Sequence, residues 1–203
     1  MSILSKLSFK DQAFKLREDA ILDATTRILA SKGFDLMTMD DVALEVGISK
    51  PSLYKHFKSK EDLVAEAMIR LLDGAQDYWA AMPADSGPLQ KLKTLLEWAV
   101  RVRLAGGLPF LPSTSPQVRD MLTRNLRYVA KVVKLNGTLK DTVKLAKKQG
   151  ELRQDLPDDV ILFSYYARTC DPAVEYLRMY AKMGEDEIVG HMLRVFFEGV
   201  QAG

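Results

Sequence analysis

Two helix-start signatures flank a glycine corner between Thr38 and Lys60, and this arrangement constrains the chain more than any other stretch of its sequence. Thr38 with Asp41 forms a capping box, in which the hydroxyl takes a backbone N–H and the carboxylate reaches back. Val42, Ala43 and Val46 give the short helix an inner face, and Gly47 ends it. Ser49 starts the next helix, with Pro51 in its first turn, where a missing N–H costs nothing. Glycine at 47 permits positive φ, so the chain can reverse within a few residues. Ala43 is small because the helices cross closely there, and Ile48 and Leu53 point into a core shared with the preceding helix. The pattern is a helix-turn-helix, whose second helix can present its N-terminal residues to base edges in a major groove.

The remainder also reads as helix. Strand signals are scarce, and the Asn136-Gly137 pair lies between helical patterns, as a helix end or slight kink. Leu16, Ala20, Ile21, Ala24, Ile28 and Leu29 share one face of a first helix over about 11–32, stopped by Gly33. Ser59 with Asp62 opens a long helix to about Ala81, and Met82 to Pro88 is a breaker-rich linker. Further helices are expected over about 89–105, over 117–149 as one or two, from Pro157 with a kink or split at Pro172, and over 185–201. Gly106–Pro116 reads as a loop and Gly150 as a break. The expected fold is all-α: an N-terminal three-helix helix-turn-helix domain over 1–58 that can bind DNA, a connecting helix over 59–81 and a larger helical domain over 82–203, to which the family resemblance and the final helix described below assign ligand binding and dimerisation.

Charge sharpens the first domain. Lys50, Lys55, Lys58 and Lys60 fall between Ser49 and Lys60 with no acid among them. That local +4 exceeds the net +2 of the chain and leaves −2 for everything else. Lysines that neutralise phosphates release counterions, and Tyr54 and His56 add donors of the kind that bind phosphate oxygens. A solvated cationic face would show the same run.

The segment ILDATTRILASKGFDLMTMDDVALEVGISKPSLYKHFKSKEDLVAEAM resembles the DNA-binding domain of the tetracycline-repressor (TetR/AcrR) family over about 17–68, most specifically in its LYKHF-x-x-KE-x-L block. AKKQGELRQDLPDDV is similar to that family's junction between two C-terminal helices. The resemblance implies a transcriptional repressor that binds a palindromic operator as a homodimer and leaves it when a small molecule enters the C-terminal domain. It implies that Thr38 caps and bonds a phosphate, and that Ser49, Lys50, Pro51 and Ser52 face the bases. It also implies that Tyr54, Lys55 and His56 hold the backbone and that Lys60 adds a phosphate contact. Pro51 stands where many members carry glycine or alanine, which shifts base reading towards Lys50 and Ser52. Lys6 and Lys10 belong to an N-terminal arm that either reaches the minor groove or frays.

In the second domain, Ile188, Met192, Val195, Phe196 and Gly199 fall on one side of the final helix and Val189, Leu193, Phe197 and Val200 on a neighbouring side. A helix apolar over so much of its circumference needs cover on several sides. Its own domain is one partner, and a second chain across the last two helices is the expected other; a helix central to one domain is the alternative. Two heads would then lie about 34–36 Å apart, one turn of DNA. Trp98, Arg101, Phe110, Met121, Tyr128, Tyr165, Tyr166, Arg168 and Tyr176 are candidate pocket residues, since aromatics with a few polar groups line small-molecule sites, though aromatics at helical spacing also build plain core. Arg124, Arg127, Lys131, Lys134, Lys140, Lys144, Lys147 and Lys148 surround a single acid, Asp141, as either a solvated face or an attractor for an anionic effector. The helix from Ser59 to about Ala81 is the expected lever between effector and DNA.

Other classes recede. The stretches without charge fall short of the ~20 apolar residues that span a bilayer, and MSILSKLSFKDQ lacks the apolar core of a secretory signal. No membrane partner is expected, and the expected location is cytoplasmic. Cys170 is the sole cysteine, which excludes an intramolecular disulfide and a multi-cysteine zinc site. It is either packing or a redox sensor. No catalytic, metal-ligand or phosphate-loop spacing is visible, so neither an enzyme nor a cofactor is expected. An effector-independent adaptor that recruits a protein through its C-terminal half is the alternative function.

Overall fold

A computed structural model of the chain describes residues 8–108, 116–169 and 171–201. Among these residues every extended element is α-helical, and the only bridge is an isolated antiparallel one between Leu152 and Gln201. The fold class is all-α. Contacts divide the chain into two units, one through Ala67 and one from Met68, with the division falling inside a helix.

The first unit holds α1 (Phe9–Leu36), α2 (Met39–Val46), α3 (Lys50–Leu53) and the start of α4 (Lys60–Ala80). Each start follows from a local cap. Ser8 accepts the Asp11 N–H while Asp11 takes the Ser8 N–H, so α1 begins earlier than its apolar pattern indicates. Ser59 accepts the Asp62 N–H at 3.0 Å ahead of α4. Gly33 does break α1, at φ 74° and ψ 175°, but one more turn follows it to Leu36. Ile21, Ala24, Val42, Leu53, Leu63, Val64 and Ala67 are fully buried and form this unit's core.

The second unit is built on α5 (Pro88–Leu104), which touches α7 (Leu126–Lys148), α8 (Asp158–Thr169), α9 (Ala173–Tyr180) and α10 (Glu185–Val200). Leu92, Leu95, Leu96, Leu139, Leu152, Ile161 and Ile188 fill its centre. Gly87 has no side chain to cap α5, and Glu151 supplies the acceptor from outside, taking the Leu89 N–H at 3.2 Å. The 117–149 stretch is two helices, α6 (Pro116–Arg124) and α7. Asn125 separates them and caps the second by accepting the Tyr128 N–H at 3.1 Å. Pro116 opens α6 rather than closing a loop, and Gly137 lies inside α7 without a break. Pro172 splits α8 from α9.

Candidate nucleic-acid interface

The helix-turn-helix rests on two caps and a left-handed glycine. Thr38 Oγ1 accepts the Asp41 N–H at 3.1 Å and donates its own hydrogen to Asp41 Oδ2 at 2.8 Å. Lys32 binds the other carboxylate oxygen at 2.9 Å. These bonds, with Lys32 the largest, hold the Asp41 carboxyl down at about 2. The Thr38 hydroxyl hydrogen is thus engaged inside the box, away from the phosphate role that the resemblance implies. Gly47 sits at φ 72°, ψ 33°, and the Ile48 N–H returns to the Ala43 carbonyl at 3.0 Å, which closes the corner. Ser49 then accepts the Ser52 N–H at 3.3 Å and starts α3.

The helix that follows is a single turn. Lys50 and Pro51 are exposed, Ser52 is half-buried, and Leu53 anchors the turn with no exposure at all. The backbone continues in turns through Tyr54, Lys55 and His56, whose N–H groups donate to Lys50, Ser52 and Leu53. Tyr54, Lys55 and Lys58 stand exposed. The Lys50 ammonium is held by Asp40 Oδ2 at 2.8 Å, which raises its pKa.

Two of the residues assigned to backbone contacts have other neighbours. His56 lies half-buried against Phe14, and its Nδ1 is buried without a partner, so burial pushes its pKa down. Lys60 places its ammonium 4.2 Å from the centre of the Phe34 ring, a cation–π contact. Asp40 is the residue that sequence reasoning missed. Its pairing is set by the geometry of the corner, and the only available signal is an acid in the first turn of one helix facing a lysine in the first turn of the next.

The candidate pocket residues in the second unit divide. Trp98 stacks on Tyr78 with ring centres 5.3 Å apart, and Tyr128 and Tyr166 pack partly buried on the same core. Burial raises both phenols, that of Tyr166 to about 12. Met121 is half-buried on α6, and Arg168 pairs with Asp171 at 2.6 Å. Three others have different surroundings. Tyr165 is enclosed in the core with its hydroxyl bonded to the Leu92 carbonyl. Arg101 lies at the surface, bridging Glu97 and Asp186, each at 2.9 Å. Tyr176 is 59% exposed and leans on Tyr180. Phe110 and most of the Gly106–Pro116 loop lie outside the described residues, as do Lys6 and Cys170.

At least four of the eight basic residues in 124–148 pair with acids. Lys131 pairs with Asp73, Lys140 with Asp159 at 2.7 Å, Lys144 with Asp141 at 3.8 Å, and Lys147 with Asp158 at 2.8 Å. Lys131 ties α7 to α4, and Lys140 and Lys147 tie it to α8, while the Lys144 pair stays within α7. The final helix also finds more cover within its own unit than its pattern implies: Ile188, Val189, Met192, Phe196, Phe197 and Val200 are all buried. Val195 remains 69% exposed, as do Val160 and Phe163 on the adjoining α8 at 50% and 65%.

No helix among the described residues is long and apolar enough to cross a membrane, and no group of metal-ligating side chains is present among them. Residues 21–67 match the family model described as bacterial regulatory proteins, tetR family. The chain is 37% identical over 82 residues to the HTH-type transcriptional regulator BetI of Agrobacterium fabrum, and 36% identical over 80 residues to the HTH-type transcriptional repressor KstR2 of Mycolicibacterium smegmatis. The first alignment covers 40% of each chain and the second 39%, so the match spans about two fifths of the curated relatives' length. The fold extends further. The structure of the ketosteroid transcriptional regulator KstR2 of Mycobacterium tuberculosis superposes with a TM-score of 0.71 at 19% identity, over 92% of this chain and 96% of that one. The capped, glycine-cornered helix pair lies within residues 21–67, the part of the chain that matches the tetR family of bacterial regulatory proteins.

Proposed function

We propose that this chain is a sequence-specific, DNA-binding transcriptional repressor that acts as a homodimer and is released from a palindromic operator by a small molecule. The observation that carries the reading is the exposed turn after Gly47, where Lys50, Lys55 and Lys58 project from a backbone fixed by the Ser49 cap and the Leu53 anchor. Ser49, Lys50, Pro51 and Ser52 face base edges, while Tyr54 and Lys55, with Lys58, hold phosphates. Lys60 has donors left for a phosphate while its charge rests on Phe34.

A palindrome requires two heads. The second chain adds its own α8 and α10 to the exposed Val160, Phe163 and Val195 face. The effector enters the second unit among Trp98, Met121, Tyr128, Tyr166 and Arg168. Its binding favours a conformation in which the two heads no longer fit adjacent grooves, with α4 as the covalent link. The protein works where the chromosome is, in the cytoplasm.

The test is selection of bound duplexes from random-sequence DNA by the full chain, followed by footprinting and a mass measurement of the complex. Enrichment of an inverted repeat bound by two chains is the expected result. Recovery of unenriched sequence, or binding by a monomer with no half-site symmetry, overturns the reading.

A further inference from the structure

Asp40 and Lys50 occupy the first turns of successive helices and meet across the corner at 2.8 Å. Their side chains are 67% and 49% exposed, and an ion pair so open to water contributes little to stability. Capping does not need Asp40, because Asp41 closes the box with Thr38 and also supplies an acid for the helix dipole. Near a duplex, a carboxylate beside the recognition turn opposes attraction to phosphate. Asp40 therefore has a cost for general DNA affinity and little return in folding.

Lysine has a flexible stem and three donors on a compact charge. Left free at the start of α3, its ammonium would settle on whichever phosphate lay nearest, and phosphate contacts carry no sequence information. Held by Asp40 through one donor, it keeps two for other acceptors. Guanine offers two acceptors on its major-groove edge, O6 and N7.

We propose that Asp40 is a specificity-determining positioning residue, which withholds Lys50 from the phosphates and directs its ammonium to guanine. The inference rests on the DNA-binding reading above. Its test uses the full-length wild type, Asp40→Asn, Asp40→Glu, Lys50→Gln and the Asp40→Asn/Lys50→Gln double variant. The probes are a duplex recovered from random DNA by the wild type and the same duplex with its sequence shuffled, titrated over a salt series.

Asp40→Asn is expected to tighten binding to the shuffled duplex and to steepen its salt slope by about one unit. The preference for the recovered duplex should fall by about tenfold. Asp40→Glu should restore that preference, and in the Lys50→Gln background Asp40→Asn should leave it unchanged. Sequences selected by Asp40→Asn should lose guanine information at the position read by Lys50. An unchanged preference in Asp40→Asn, or an equal loss with and without Lys50, overturns the inference while the DNA-binding reading stands. A wild type that does not prefer any recovered duplex over its shuffled form overturns that reading first.

Discussion

The imidazole of His56 stacks on the ring of Phe14 with centroids 4.0 Å apart and planes 26° from parallel, and its Nδ1 is buried with no hydrogen-bond partner among the described residues. The stack suits a neutral ring. Burial is the main cause of the depressed pKa; Arg17 depresses it further and Glu18 opposes both. A histidine whose folded pKa lies below its unfolded value near 6.5 stabilises the fold above that value, and the contribution is lost as pH falls through it. The first unit should therefore lose thermal stability between about pH 7 and pH 5. His56→Phe should flatten this acid limb in melts followed by circular dichroism, and an unchanged limb in that variant would refute the assignment.

Gly33 and Gly47 both have positive φ, and a Cβ built on either meets nothing within 4 Å. Substitution there is penalised through the backbone rather than through packing. Gly47 is left-handed helical, a region that asparagine tolerates. Gly33, at ψ 175°, sits where essentially only glycine goes. Gly47→Ala should cost about 1 kcal/mol, with Gly47→Asn recovering much of it. Gly33→Ala should cost more, about 2 kcal/mol, and Gly33→Asn should not recover it. Denaturant midpoints for the four variants measure the difference.

Features fixed within a few residues were legible in the sequence, and features fixed across the fold were not. The box at Thr38–Asp41, the Ser59 cap and the corner at Gly47 are local chemistry, and they gave the candidate interface most of its residues. The Ser8–Asp11 box is equally local, but it lay ahead of the apolar face by which α1 was bounded. Asn125 was readable as a cap, yet the continuous helical periodicity around it concealed the break. The bond from Tyr165 to Leu92 joins residues 73 apart, and spacing cannot distinguish such a core tyrosine from a pocket tyrosine. Periodicity likewise put the lysines of α7 on shared faces without revealing the aspartates that α8 brings to them.

That last pairing separates two lysines that look alike in sequence. Lys147 is only 14% exposed and donates to Asp158 at 2.8 Å and to the Leu156 carbonyl at 2.7 Å. Lys144 is 55% exposed and reaches Asp141 at 3.8 Å. Lys147→Glu should destabilise the second unit by about 2 kcal/mol or more, because it leaves a carbonyl and a carboxylate facing a like charge. Lys144→Glu should stay within about 0.5 kcal/mol of wild type. Chemical denaturation checks both values. The stable Lys144 variant is then the one in which any loss of response to an anionic effector can be ascribed to the ligand.

Tyr165 closes the core of the second unit, and its ionisation offers a probe of that core. Its ring is enclosed between Tyr166 and Phe196, and the hydroxyl donates to Leu92 at 2.9 Å. Tyr165→Phe removes that bond but leaves the Leu92 carbonyl its helical partner, so the cost should be about 1 kcal/mol. Tyr165→Ala removes the ring as well and should cost about 3–5 kcal/mol. The pH dependence follows from the direction of the shifts. Burial raises Tyr165 well above 10.0, Tyr166 to about 12, and Tyr128 in the same sense. A raised folded pKa means that the native state keeps its proton while the unfolded chain releases one. The stabilisation is complete below pH 10 and is lost as pH climbs towards the folded values. Each such group steepens the loss by up to about 1.4 kcal/mol per pH unit. Urea unfolding at a series of pH values from 9 to 11.5 should show stability falling above about pH 10, with a shallower fall in Tyr165→Phe. The same slope in both proteins would mean that the Tyr165 hydroxyl is open to water and that α8 does not seal the core as described.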